Sequence, residues 1–399
     1  MFLEERRNQI LKWLDEHDRV TVNGLASQLG VTRETIRTDL GALAREGLVQ
    51  RCYGGAIALR RNLQEKLISE SGGNFEVLLE RLQARQTVAK VSEKNGKVCI
   101  LGAFNVDIVA KVARFPRGGE SLLALGSTLG PGGKGANQAM AASCAGTRVH
   151  FVAKVGTDQF SKFAFDHLSA SGIHSFRLYQ TDREPTGSAI IYVSQENGEN
   201  MIAIYSGANK TFTDDEIAEL THELSDASVL LLQLENNFEA TRSAIRLAHT
   251  LGVRVIMNPA PFSAEVLSCL AMIDVLTPNE TEASLLSGIE IVDLASARAA
   301  AQAIVQLGAR RVIITMGSRG ALLLDNQQFH HIPAFPALSV DTTGAGDAFN
   351  GALAAALAQG QSLLQAATWA SAFAALAVER EGASNMPDRQ QVMARLHQR

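Results

Sequence analysis

From residue 97 onward the chain alternates between two periodicities, and that alternation limits the folds open to it. Apolar runs at 98–102, 149–155, 188–193, 229–233, 253–258, 275–277 and 312–316 read as strands. Stretches at 137–145, 160–171, 238–251, 281–287 and 295–307 have helical spacing of apolar residues and separate many of those strands. Such alternation predicts an α/β fold, a three-layer domain whose mostly parallel sheet carries helices on both faces. Ligands in sheets of this kind bind beyond the carboxyl ends of the strands. Around 108–130 and 180–206 the pattern changes to short strands and turns without long helices, as in a small β sheet acting as a lid.

The most specific string lies near the C-terminal end: Asp341-Thr342-Thr343-Gly344-Ala345-Gly346-Asp347-Ala348-Phe349. An apolar, proline-marked run at 332–340 reads as a strand before it, and an Ala- and Leu-rich stretch at 350–359 reads as a helix after it. The glycines then sit where a loop becomes a helix N-terminus. Unpaired N–H groups and the positive end of the helix dipole make that place receptive to a phosphate. Asp347 falls in the first turn beside it, where a carboxylate can accept the proton of a hydroxyl attacking phosphorus. A plain Gly-rich loop with a dipole-favouring Asp is the bland alternative. The length of the string and a second glycine cluster upstream argue against it.

That cluster is Gly130-Pro131-Gly132-Gly133-Lys134-Gly135-Ala136-Asn137, opening a helix. It lacks the GxxxxGK[ST] of a Walker A loop: Gly135 follows Lys134, so no hydroxyl is placed for magnesium. Its glycines instead let the backbone approach a ligand closely, with Asn137 turned toward it. Upstream, Asn105-Val106-Asp107 follows the first strand. An amide and a carboxylate so spaced can share several hydroxyls of a polyol, although Asn and Asp are also ordinary turn formers.

Together these strings resemble the ribokinase (PfkB) family of sugar kinases over about 97–390. Leu232-Gln233-Leu234-Glu235, Asn258-Pro259-Ala260-Pro261, Pro278-Asn279-Glu280-Thr281-Glu282 and Thr315-Met316-Gly317-Ser318-Arg319-Gly320 agree as well, and lie closer to the ribokinase branch than to fructokinases or adenosine kinases. The resemblance implies an ATP-dependent kinase acting on the primary hydroxyl of D-ribose or a related pentose. It implies that Asn105, Asp107, Gly133, Lys134, Asn137 and Glu235 hold the sugar, and that Asp347 is the general base. Gly344, Ala345 and Gly346 would form the anion hole, Thr315, Gly317 and Gly320 would line the nucleotide site, and Asn279 and Glu282 would organise magnesium and its waters. Asp341 and Thr343 would bind a monovalent cation, in all expectation potassium. The family's remaining cation ligands lie near 380–385, where Gly382-Ala383-Ser384-Asn385-Met386-Pro387 is one residue shorter than in typical ribokinases and receives no assignment.

The first sixty residues follow other rules. Apolar residues at helical spacing mark helices at 4–17, 22–29 and 33–46, with Thr32 as a cap and Gly47 as a stop. Two short apolar runs around Tyr53-Gly54-Gly55 suit a β-hairpin. Three helices and a hairpin make a winged helix-turn-helix whose third helix offers Arg33, Thr35, Arg37 and Thr38 to DNA. A three-helix interaction module with a solvated charged face is the alternative. The strings Thr35-Ile36-Arg37, Asp39-Leu40, Gly47-Leu48 and Arg51-Cys52-Tyr53-Gly54-Gly55-Ala56 resemble the DeoR family of bacterial transcriptional repressors. That family usually has a second arginine where this chain has Thr38, and a histidine where it has Tyr53. The resemblance implies a double-stranded operator as partner and a homodimer as the binding unit.

The expected domains are therefore 1–60, a linker with a helix at 61–96, and 97–399. Residues 1–61 carry ten Lys/Arg against eight Asp/Glu and the remainder 27 against 33, so only the N-terminal part is basic. No apolar run approaches the roughly 18 residues of a membrane span, no signal-peptide core opens the chain, and the four cysteines are scattered. A cytoplasmic protein without a membrane partner is expected. Three readings compete: a kinase carrying its own DNA reader, a sugar-sensing repressor that has lost catalysis, and a kinase whose winged helix serves oligomerisation. Asp347 and the intact glycine strings favour the first.

Overall fold

The computed structural model describes residues 6–7, 9–11, 13–14, 19–45, 49–52, 55–58, 74–86, 96–196 and 199–397. The chain forms two compact units, residues 1–81 and 82–399.

In the first unit the described residues between 6 and 14 are helical. They are followed by β1 (Arg19–Thr21), α1 (Val22–Leu29), α2 (Arg33–Arg45), β2 (Val49–Cys52) and β3 (Gly55–Ala58). Thr21 caps α1 by accepting from the Gly24 N–H, and Gly30 ends it in the left-handed region at φ 61°. Thr32 caps α2 as expected, accepting from the Thr35 N–H at 3.2 Å. Ile10, Leu14, Leu25, Ile36, Leu40 and Leu43 form the core. The buried Asp39 carboxylate ties the first helix to α2 through Arg6 Nε at 2.5 Å. The hairpin is present, but a third strand, β1, joins it in the order β1-β3-β2. A side chain at Gly55 would strike the Val20 carbonyl, so glycine lets β1 come in. Tyr53 and Gly54, read as the hairpin tip, lie outside the described residues.

Helix α3 (Phe75–Gln86) buries Phe75, Leu78, Leu79 and Leu82, the stripe expected of a linker helix. The division between the units falls within it, inside the stretch 61–96 expected as the linker. The expected joint at Ser71-Gly72-Gly73 lies outside the described residues.

The second unit is built on a nine-stranded sheet of order β16-β15-β14-β13-β12-β11-β4-β7-β8. Its seven consecutive parallel strands are β8 (Ser175–Gln180), β7 (Arg148–Val155), β4 (Lys97–Leu101), β11 (Val229–Leu232), β12 (Arg254–Met257), β13 (Val275–Leu276) and β14 (Val312–Thr315). β4 and β11 are buried at every residue, the mark of a sheet covered on both faces. Two antiparallel strands, β15 (Ala321–Asp325) and β16 (Gln328–Ile332), close one edge. They and β8 escaped the reading of apolar runs. Their turn, Asn326-Gln327, has φ 46° and 63°, a hairpin geometry for which Gln is an unusual sequence signal. The expected strand at 332–340 is corrected: β16 stops at Ile332, because Pro333 offers no N–H and Pro336 follows, and 333–340 is irregular.

The expected lid is a second sheet of order β10-β9-β5-β6, from β5 (Asn105–Val112), β6 (Gly126–Gly132), β9 (Ser188–Ser194) and β10 (Asn200–Tyr205). Helices α4 (Lys134–Cys144), α5 (Gln159–Ala170), α6 (Asp214–Ala218), α7 (Thr221–Ser225), α8 (Phe238–Thr250), α9 (Glu280–Ser287), α10 (Leu294–Gln306), α11 (Ala345–Ala358), α12 (Leu363–Ala377) and α13 (Arg389–His397) complete the unit. α4 and α11 begin earlier than their apolar spacing suggests, directly on the glycine strings, with Gly133 and Gly344 as N-caps at φ 90° and 77°.

α4, α11 and α12 share one apolar cluster with β4, β7 and β11. α11 lies so close to α4 that a Cβ on Gly351 would meet the Gln138 carbonyl and the Ala141 Cβ. Those neighbours are backbone and a short side chain, which cannot swing aside. Gly351→Ala would gain up to about 1 kcal/mol in helix propensity, against overpacking that costs about 1–3 kcal/mol. The clash wins, and the variant is expected to unfold at lower urea concentration than the parent chain. An unchanged or raised midpoint would mean the two helices are free to part.

Candidate active site

β4 runs between β11 and β7, and the segments leaving the carboxyl ends of β4 and β11 carry the first site residues. Asn105 opens β5 and is buried. Its Oδ1 accepts from Asn209 Nδ2 at 2.9 Å, and Asn209 also bonds both backbone groups of Phe104. The side-chain amide of Asn105 is thereby left to donate. Asp107, two residues on, lies on the same side of β5. A Cβ at Gly132 would occupy its carboxylate, so the glycine makes its room. Burial raises the Asp107 carboxyl to about 6.

Gly133 backs onto the Ala103 carbonyl, and Lys134 opens α4. The Lys134 backbone N–H donates to Glu235 Oε2 at 2.8 Å. The Lys134 ammonium lies in the field of Asp347 above all, then of Glu235 and Glu282, and its pKa is raised. Glu235 is pushed up to about 7 by burial, against the pull of Lys134, with Asp347 and Asp107 adding repulsion. The structure thus brings Asp107, Lys134, Glu235, Glu282 and Asp347 into one electrostatic site.

Asp347 lies in the first turn of α11 and is 5% exposed. Its Oδ2 accepts from Asn137 Nδ2 and its Oδ1 from Gln138 Nε2, both at 3.0 Å. Asn137, read as facing the ligand, therefore points its amide at Asp347, while its Oδ1 accepts from Ser384 Oγ at 2.9 Å. Gln138, Asn258, Asn350 and Ser384 are additions: Asn258 and Ser384 lie in quoted strings, Gln138 and Asn350 directly follow the two glycine strings, and no spacing singled them out. Asn350 donates to the Gly346 carbonyl at 2.8 Å and accepts from Thr277 Oγ1 at 2.5 Å. The Ala345 N–H turns back to the Thr342 carbonyl at 3.2 Å.

Asn279 and Glu282 form a capping box at the start of α9, each side chain accepting from the other's backbone N–H at 2.8 and 2.9 Å. Glu282 is buried, and burial raises its pKa. Thr315 ends β14 and bridges to Asn279. Gly317 and Gly320 shape the tight turn that follows, at φ 54° and 87°. The adjoining cavity, about 390 Å³, is lined by their neighbours Met316, Ser318 and Arg319 and by Leu294, His331 and Pro333. The two glycines themselves do not line it. Asp341 accepts from the Thr343 N–H through Oδ1 at 2.8 Å and from the Gly382 N–H through Oδ2 at 3.0 Å.

In the first unit, Arg33, Arg37 and Thr38 are exposed on α2 and Thr35 is half-buried. Thr35 shares its hydroxyl with Thr32 at 2.8 Å, and Thr38 donates back to the Glu34 carbonyl at 2.9 Å. Both hydroxyls have partners within the helix. Arg37 pairs with Glu34 at 3.0 Å in the open, where such a contact is worth little.

Residues 95–390 match the model of the pfkB family carbohydrate kinase. The chain belongs to that family. Residues 6–62 of this kinase match the DeoR-like helix-turn-helix domain. Ribokinase of Haemophilus influenzae is 36% identical over 297 residues, covering 74% of this kinase and 96% of the relative. Deoxyribokinase of Salmonella typhimurium is 36% identical over 286 residues, covering 71% and 93%. Among solved structures, Thermotoga maritima ribokinase superimposes with TM-score 0.68 at 35% identity, over 75% of this kinase and 99% of that chain. Arabidopsis thaliana ribokinase complexed with ribose and ATP gives 0.68 at 32% identity, over 75% and 98%. The protein is an ATP-dependent carbohydrate kinase of ribokinase-like fold joined to an N-terminal DeoR-like reader. Among the described residues no helix is long and apolar enough to cross a membrane.

The raised Glu235 gives a stability signature. Its folded value of about 7 lies above the ordinary 4.5. A carboxyl shifted that way favours folding below the unfolded value, and the contribution is lost as pH rises through the folded one. Glu235→Gln removes the buried charge. The variant is expected to melt above the parent at pH 8, to lose most of that advantage by about pH 5 and the rest below the unfolded value of 4.5. A gain that does not depend on pH would refute the shift.

Proposed function

We propose that this kinase transfers the γ-phosphoryl group of ATP to the primary hydroxyl of D-ribose or a closely related pentose, and that its first unit binds a double-stranded operator. The observation that carries the catalytic half is Asp347, buried in the first turn of α11 with both oxygens aligned by amide donors. Asn105, Asp107, Gly133, Lys134, Asn137 and Glu235 surround the sugar, with carboxylates accepting hydroxyls and amides and the ammonium donating to them. Asp347 takes the hydroxyl proton as the oxygen bonds to phosphorus. The bond from phosphorus to the β–γ bridging oxygen breaks, and ADP departs. The amides at the start of α11, at Gly344 and Gly346 and at Ala345 once it leaves the Thr342 carbonyl, receive the charge on the moving phosphoryl group. The nucleotide lies over the turn from Thr315 to Gly320 and against the cavity beside it.

Magnesium suits Asn279 and Glu282. Glu282 keeps one carboxylate oxygen without a protein partner among the described residues, and magnesium prefers oxygen ligands with retained water. Bound there, it would neutralise phosphate charge. Potassium suits the oxygens around Asp341 and Thr343, where one carboxylate joins the turn before α11 to the 382 segment. Bound there, it would add positive field beside the anion hole.

The DNA half rests on α2, where Arg33 and Arg37 are the exposed cations. A homodimer is proposed through the lid sheet, whose Leu129, Ile190, Met201, Ile202 and Ile204 are about half exposed or more. The proposed compartment is the cytoplasm.

Asp347→Asn should lower turnover by about 10²–10⁴ while ribose still binds calorimetrically. Turnover within a few-fold of the parent would remove Asp347 from the base role. Arg37→Ala should weaken operator binding by about 1–3 kcal/mol at fixed salt and leave kinase activity unchanged. Equal affinity in a gel-shift titration would rule out Arg37 as a base contact.

A further inference from the structure

The donor side chains around Asp347 form a ladder whose direction is set at its far end. The Thr277 backbone carbonyl only accepts, so Asn258 presents Nδ2 to it at 3.1 Å. Asn258 Oδ1 is thereby turned toward Gln138 and accepts from its Nε2 at 3.1 Å. The second N–H on that nitrogen goes to Asp347 Oδ1 at 3.0 Å. Gln138 Oε1, pointing the other way, accepts from Gln233 Nε2 at 2.6 Å. Both hydrogens of the Gln138 amide are used, and a reversed amide would set its oxygen against Asn258 Oδ1 and Asp347 Oδ1 and its nitrogen against Gln233 Nε2.

Two further features mark this as a built arrangement. Gln138 and Gln233 are 0% and 1% exposed, and Gln233 Oε1 is buried without a partner. Turning Gln233 over to satisfy that oxygen would put it 2.6 Å from Gln138 Oε1, so the orphan follows from the direction of the ladder. Gly102 has no side chain, and a Cβ there would run into the Gln233 amide.

We infer that Gln138 is a positioning residue for phosphoryl transfer: together with Asn137 it fixes the plane of the Asp347 carboxylate, and Gln233 holds the other end of the Gln138 amide in place. Asn137 and Gln138 are neighbours on α4, so a carboxylate held by one at each oxygen cannot rotate. Its remaining lone pairs keep one direction in which to meet a hydroxyl proton. The inference rests on Asp347 being the base.

Gln138→Met keeps length and volume and removes the donor. Its kcat should fall on the order of ten- to a hundredfold, as for misplaced reacting groups, with KM for ribose within about twofold. Gln233→Leu, which leaves Asp347 and its donors in place, should lower kcat by a smaller factor, again without moving KM. In an Asp347→Asn background, adding Gln138→Met should change the residual rate less than about twofold, because the residue acts through Asp347. Losses that multiply in the double variant would make Gln138 a structural amide only. A raised KM with unchanged kcat would make it a sugar ligand. Inactive Asp347→Asn beside fully active Gln138→Met would overturn the positioning role alone. Active Asp347→Asn would overturn the base assignment and the inference with it. If Gln138→Met fails to fold, unchanged kcat in Gln233→Leu overturns the ladder.

Discussion

The chemistry of the second unit depends on how closely α4 and α11 approach. α11 is dominated by alanine and glycine, and Gly351 sits against the α4 backbone where any side chain would hold the helices apart. That approach brings two consecutive amides of α4 within hydrogen-bond distance of one carboxylate in the first turn of α11. The same two helix starts carry the glycine strings, so the backbone ends that face a ligand and the acid between them are placed by a single packing event. The sheet supports it from below, since β4 and β11 are buried throughout and their Val98, Ile100, Val229 and Leu231 share the cluster with both helices.

Around this contact the unit gathers charge where water is scarce. Lys134 lies among Asp347, Glu235 and Glu282, and burial raises Asp107, Glu235 and Glu282 above their ordinary range. In an empty site such groups oppose stability at neutral pH. Sugar hydroxyls donating to Asp107 and Glu235 would favour their charged forms again, which links occupancy to protonation. Sites that act on charged groups commonly carry this tension between stability and activity.

The first unit solves a smaller problem. Its helices and three-stranded wing close over ten buried apolar side chains, and one buried Asp39 with its arginine ties the first helix to α2. Of the four side chains expected to meet DNA, Arg33 and Arg37 are exposed, Arg37 in an open pair with Glu34, whereas the Thr35 and Thr38 hydroxyls meet Thr32 and the Glu34 carbonyl. A β-hydroxyl within reach of a helical carbonyl three or four residues back takes that partner first. Thr38 follows that pattern with the Glu34 carbonyl, whereas the Thr35 hydroxyl meets that of the cap residue Thr32.

Much of this was legible along the chain. Helix and strand types followed from periodicity, the lid from its departure from that periodicity, and the two glycine-led helix starts from glycine strings, because each signal involves residues adjacent in sequence. The two edge strands β16 and β8, and β15 inside β16, were missed, since their patterns are short and their turns unmarked; the run after Ile332 looked like a strand only because prolines do not interrupt an apolar count. The sequence alone determined that a glycine-bounded helix start would carry Asp347 and that the fold would be α/β with a separate helix-turn-helix. Only the tertiary structure decided what Asp347 touches. Gln138 lies 209 residues away from it and Gln233 lies 95 residues from Gln138, and no spacing predicts such pairs. Side-chain hydrogen bonds between distant positions exist only after strand order and helix packing have set the distances, and their direction is then dictated by the one carbonyl at the end of the ladder that cannot donate.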